Sequence, residues 1–147
     1  MNMAINITNR NQKPHYKVYT RLGSSKIHGI GVIAIRNIPK GTDIFYGDEK
    51  QNLVEVKKEE VKKIKDPSTR KLYEDFCIIK SNVYLCPINF NQMTVGWYLN
   101  EPKNGEKPNV GCDVQRDYIF YALRDIKKGE ELTVDYSTFS KRPKPQK

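Results

Sequence analysis

The segment Gly129-Glu130-Glu131-Leu132-Thr133-Val134-Asp135-Tyr136 decides how this chain is read. Its glycine supplies the backbone freedom of a tight turn, and an extended run follows that ends in tyrosine near the end of the chain. Taken alone, that tyrosine is more ordinarily an amphipathic core residue than a functional one. Tyr118–Arg124, an aromatic and aliphatic run, leads into the segment through Lys127-Lys128-Gly129. The unit has a second copy upstream. Ala34-Ile35-Arg36-Asn37-Ile38-Pro39-Lys40-Gly41-Thr42-Asp43-Ile44 aligns with Ala122-Leu123-Arg124-Asp125-Ile126-Lys127-Lys128-Gly129-Glu130-Glu131-Leu132, with Ala, Arg, Ile, Lys and Gly identical in register. A strand–turn–strand unit used twice and a chance likeness of two β-turn-β units both fit. A solenoid, which needs at least three stacked units, does not.

Working outward, Gly31–Arg36, Asp43–Tyr46, Asn82–Cys86 and Asn109–Val114 are further strand candidates. The middle differs. Val56–Lys65 reads as a lysine-rich helix with Val61 and Ile64 on one face. Asp66-Pro67 then supplies an N-cap and a proline at the first helical position, opening Ser68–Phe76, where Leu72, Tyr73 and Phe76 form a buried stripe. The expected class is mainly β, short strands with a helical insertion around residues 56–76. Residues 1–14 are polar and Asn-rich and are expected to form a flexible segment. Residues 140–147 carry Pro143 and Pro145 among basics and read as an extended tail. One domain over residues 15–139 lies between them.

Composition excludes several classes. With 147 residues, 37% hydrophobic and 29% charged, the chain is long enough to bury a core and, with 15 aromatics, too aromatic for a disordered polymer. No apolar stretch approaches the ~18 residues that span a bilayer, and the first twenty lack the apolar run of a secretory signal. An intracellular protein is therefore expected, with cytoplasm, nucleus and export into a host cell all open. The net charge is +9, and no acid precedes Asp43. That polarity suits an acidic or nucleic-acid-containing partner, or simply a solvated basic face. Cys77, Cys86 and Cys112 lack the paired spacing of zinc sites and read as free buried thiols, with no metal expected.

Three more stretches carry chemistry when joined to the first. Ser25-Lys26-Ile27-His28-Gly29-Ile30-Gly31-Val32 holds two glycines one residue apart, which let backbone approach a ligand closely. A strand follows, so a dinucleotide-binding turn is disfavoured. Trp97-Tyr98-Leu99-Asn100-Glu101-Pro102, with Pro108-Asn109 beyond it, suggests a polar corner beside an aromatic wall. Ile44-Phe45-Tyr46-Gly47 is the weakest of the four.

In this order the stretches resemble the SET-domain family of protein lysine methyltransferases, from about His15 to Phe139. Ser25–Gly31 resembles its opening GxG motif, and Phe45-Tyr46-Gly47 its Tyr-x-Gly element without the spacer. Trp97–Pro102 with Pro108-Asn109 resembles its aromatic-Ile/Leu-Asn-His-Ser and Pro-Asn signature, and Glu131–Tyr136 its closing motif. Glu101 and Pro102 stand where His-Ser is common, and Cys112 falls near the place of a second active-site tyrosine.

The resemblance implies a β-clip-like SET fold and S-adenosylmethionine as methyl donor. It assigns His28, Gly29, Ile30, Gly31, Tyr98, Asn100 and Glu101 to the cofactor, with Phe139 over its adenine. Tyr136 becomes the catalytic residue. Tyr46 and Tyr98 are open between lining the channel of the acceptor lysine and packing in the core. The implied partner is a protein presenting a lysine, histones included. Two other readings stay open: an inactive SET-like binding module, and a basic nucleic-acid-associated protein.

Overall fold

The computed structural model describes Ile5 and residues 11–48 and 53–141. Most of the expected flexible segment 1–14 and of the tail 140–147 lies outside the described residues. Among these residues, three small antiparallel sheets carry the fold. Strands β1 (Thr20–Ser24), β2 (Ile30–Ala34) and β8 (Glu131–Leu132) form the first, in the order β1-β2-β8. β3 (Val54–Lys57), β5 (Val83–Cys86) and β4 (Ile78–Ile79) form the second in that order, and β6 (Val110–Asp113) pairs with β7 (Ile119–Ala122). The mainly β expectation holds.

The two aligned segments face each other. Ile38 and Ile126 exchange both backbone hydrogen bonds, each at 2.8 Å. The Gly41 N–H donates to Ala122 O and the Gly129 N–H to Ala34 O, both at 2.8 Å, and Ala34 and Ala122 donate in turn to Glu130 and Thr42. Each of these backbone hydrogen bonds of one copy is thus matched by its counterpart in the other, about a local two-fold. Gly41 and Gly129 sit at φ +85° and +92°, which a side chain would strain. Ile38, Ile126, Val32, Leu132, Val110 and Val134 fill the core between the copies, each at most 1% exposed.

The insertion is shorter than its lysine pattern suggests. α1 spans only Lys58–Lys62, because Val56 and Lys57 pair with Tyr84 and Val83 as part of β3. Strand pairing outweighs helix propensity there. α2 (Pro67–Phe76) begins as expected: the Asp66 carboxylate accepts the Ser68 N–H and Pro67 occupies the first turn. The expected strand Asp43–Tyr46 shrinks to a single bridge, Asp43 to Tyr121, before a turn.

Two parallel contacts place the chain's last motif. Past β8, Thr133 bridges Asn100 and Val134 bridges Val110, so the segment lies between two pieces of chain that come before it. Buried Asn109 fixes it there: its Oδ1 accepts the Thr133 N–H at 2.8 Å and its Nδ2 donates to Glu131 O at 2.9 Å. Tyr136–Thr138 is a 3-10 turn, and the chain then pairs with β4 through Ser140 and Lys141. Among the described residues, no helix is long and apolar enough to cross a membrane.

Candidate active site

Asn100 is the hub of the first half of the site. Its Nδ2 lies 3.0 Å from His28 O, 3.2 Å from Ile30 O, 3.1 Å from Ser25 Oγ and 3.1 Å from a Glu131 carboxylate oxygen. Ser25 Oγ donates to Glu131 at 2.8 Å and accepts from the N–H groups of Ile27 and His28, and the Ser25 N–H closes the turn onto Gly29 O. Gly29 takes φ +52°. Gly31 is required for a different reason: a Cβ there would stand 2.6 Å from Glu131 Oε2. Four acceptors share the two protons of one amide, so the corner has acceptor capacity to spare. That suits a ligand bearing N–H donors or positive charge. Ile30, 53% exposed, stands beside it, and half-buried Glu101 follows Asn100 in the chain.

The second half is a cavity of about 390 Å³. Phe76, Trp97, Leu99, Tyr118, Phe120, Tyr136 and Phe139 give it an aromatic and aliphatic wall, and among the described residues its charged lining is Asp48 and Asp75. The Tyr136 hydroxyl donates to the backbone carbonyl of Leu99. Leu99 therefore belongs to the cavity and its neighbour Asn100 to the turn, and the peptide between them joins the two halves.

The expected site residues divide along that line. His28, Gly29, Ile30, Gly31 and Asn100 come together at the turn. Tyr136 and Phe139 meet in the cavity, with ring centroids 6.1 Å apart. Phe139 also stands edge-on to Phe120 at 5.6 Å, so its ring belongs to the cavity wall. Tyr98 packs its ring against Phe76, 5.7 Å away, outside the lining. Tyr46 is 47% exposed, pairs with Tyr16 at 5.8 Å and is likewise outside it. Tyr118 takes the tyrosine place in the wall. Its place in the wall is not legible in the sequence, because it depends on two consecutive left-handed residues, Asp117 at φ +55° and Tyr118 at +59°. Cys112 is half-buried opposite Phe120 and does not line the cavity.

Residues 29–137, which include Gly29, Gly31 and Asn100 of the turn and Tyr136 of the cavity, match the model of the SET domain. The chain belongs to the SET-domain family. Members of this family are generally S-adenosylmethionine-dependent lysine methyltransferases. Among solved structures, a Plasmodium falciparum protein assigned as a histone methyltransferase is similar to this SET domain with a TM-score of 0.50 and 19% identity, covering 81% of this chain and 93% of that one. At that identity the likeness concerns the fold. No curated protein matches the chain. The SET-domain assignment accounts for the order of the four stretches, which the fold brings into two adjoining half-sites. Among the described residues, no group of three or more His, Cys, Asp or Glu could hold a metal ion.

Proposed function

We propose that this SET domain is a protein lysine N-methyltransferase that takes its methyl group from S-adenosylmethionine. One observation carries the reading: Leu99 and Asn100, consecutive in the chain, serve a tyrosine-bearing cavity on one side and an acceptor-rich turn on the other. The carbonyls of His28 and Ile30, with Asn100 and the backbone at Gly29 and Gly31, would hold the cofactor. When bound, S-adenosylmethionine supplies a methyl group on a sulfonium carbon, open to in-line displacement by a neutral amine.

The cavity suits the amine. Asp48 favours a cationic side chain on entry, whereas Asp75 is already paired with Lys71 at 2.9 Å. A free lysine near pKa ~10.4 is neutral only about one part in a few thousand at pH 7. The aromatic and aliphatic wall favours the neutral form by desolvation. Because Tyr136 donates its proton to Leu99 O, its oxygen keeps lone pairs for the amine's N–H. The hydroxyl then orients nitrogen, and alignment supplies most of the rate. Aromatic faces in the wall suit a methylammonium product.

A second reading has its own support. Glu101, Pro102 and Cys112 depart from the family pattern, which favours a module that binds without turnover. Calorimetric titration with S-adenosylhomocysteine, followed by tritiated-methyl transfer to histones and to whole lysate, separates the two. Binding and transfer are expected. Binding without transfer selects the module, and no heat at millimolar ligand rejects the cofactor site.

A further inference from the structure

β4 and β5 pair in antiparallel register, Ile78 opposite Leu85 and Ile79 opposite Tyr84. Continued by one residue, that register sets Cys77 directly opposite Cys86. The Lys80 N–H donates to Val83 O, so 80 and 83 form a hydrogen-bonded pair. Alternation along the ladder then makes 77 and 86 a non-hydrogen-bonded pair, the closer kind, with Cα atoms about 4.5 Å apart. Disulfides span Cα separations of roughly 4.4–6.8 Å. Neither cysteine is in a disulfide and both are buried, 1% and 2% exposed, yet Cys77 forms part of the cavity wall beside Phe76 and Ser140. A small oxidant entering the cavity therefore meets the pair from the Cys77 side.

We propose that Cys77 and Cys86 are a dithiol that a peroxide closes, reversibly, to an intramolecular disulfide in the cavity wall. The hydrogen bond between the two thiols holds the Cys86 thiol below its ordinary value, against the burial that raises it, so that one thiolate is shared across the pair, and Cys77 is its sulfur on the cavity side. The Cys77 thiolate takes one oxygen of hydrogen peroxide to become a sulfenic acid, the O–O bond breaks, and hydroxide leaves with a proton as water. The Cys86 sulfur then displaces the sulfenic hydroxyl, which departs with the Cys86 proton as a second water. Two electrons pass from the sulfurs to the peroxide, and one S–S bond replaces two thiols. A dithiol reductant reverses the step by exchange. Cys77 also ends α2, its N–H donating to Tyr73 O. Closure would tie the end of that helix to β5 and fix the wall that carries Phe76 and Ile78.

The test does not depend on methyl transfer. The full chain is treated with hydrogen peroxide, quenched, denatured, alkylated with iodoacetamide and digested with trypsin. Cleavage after Lys80 separates the two cysteines, so a bond between them joins two peptides. We expect one linked pair carrying Cys77 and Cys86, alkylation at Cys112 alone, a monomer on a non-reducing gel, and restoration of all three thiols by dithiothreitol. Cys112→Ser should form the same link, and Cys77→Ser should form none. Alkylation of all three cysteines after peroxide, sulfinic acid at Cys77 without a link, or a link through Cys112 would each overturn the proposal.

Discussion

Gly31 and Glu131 set the residue scale. An alanine methyl at position 31 would lie 2.6 Å from Glu131 Oε2, 2.9 Å from its Cδ and 3.1 Å from Ser25 Cβ. The carboxylate cannot swing aside freely, because Ser25, Asn100 and the Lys26 N–H all donate to it. Gly31→Ala should therefore break that network and cost about 1–3 kcal/mol of stability, as unpaired polar groups do. Thermal unfolding measures it, and a parent-like midpoint would contradict the account. Asn100→Ala leaves the turn's carbonyls without their shared donor, and S-adenosylhomocysteine affinity should fall by more than ~1 kcal/mol in calorimetry. Equal affinity would remove Asn100 from the site. The GxG motif was legible in the sequence, but this reason for its second glycine was not. Glu131 meets Ser25 across a sequence separation of 106, and only the fold brings them together. Tyr118 was hidden for a similar cause, since a left-handed tyrosine has no signature in its neighbours.

At the scale of elements, the repeated strand–turn–strand unit was visible as an alignment, and its meaning came from pairing. Ile38 and Ile126 are each 1% exposed and hydrogen-bond each other on both sides. Either isoleucine replaced by alanine should cost ~2–5 kcal/mol in denaturant unfolding. The double substitution should depart from additivity, because the two share one contact. The second copy's turn also carries a charge. Glu130 receives Arg124 at 3.0 Å and the Lys127 N–H, and the Arg124 hydrogen bond holds its carboxyl below the ordinary value. A depressed carboxyl contributes stability that is present above the ordinary glutamate value, ~4.3, and lost as pH falls through the folded one. The pair is partly exposed, so Arg124→Ala should cost under ~1 kcal/mol at pH 7, and less as pH drops below 4. A cost that grew on acidification would contradict that sign. α2 was legible from Asp66-Pro67, whereas β3 was hidden by its lysines and is explained by its partner β5.

The whole molecule depends on its last motif. Residues beyond Gly129 supply β8, the core residues Leu132 and Val134, and the segment that lies between Asn100 and Val110. A chain truncated after Gly129 should lose cooperative unfolding in circular dichroism, and a two-state transition in that truncation would contradict this dependence. The same motif ends in Tyr136, which joins stability to chemistry and makes the central claim testable at one atom. Tyr136→Phe removes the oxygen that touches Leu99 O and leaves the ring, so folding should change by about 1 kcal/mol. The decisive measurement is the rate of tritiated-methyl transfer from S-adenosylmethionine to protein lysine, parent against Tyr136→Phe, with both chains folded and binding S-adenosylhomocysteine. Transfer by the parent is expected, with a loss of about a hundredfold or more in the variant and much less change in cofactor affinity. A folded Tyr136→Phe chain that transfers methyl at the parent's rate would contradict it.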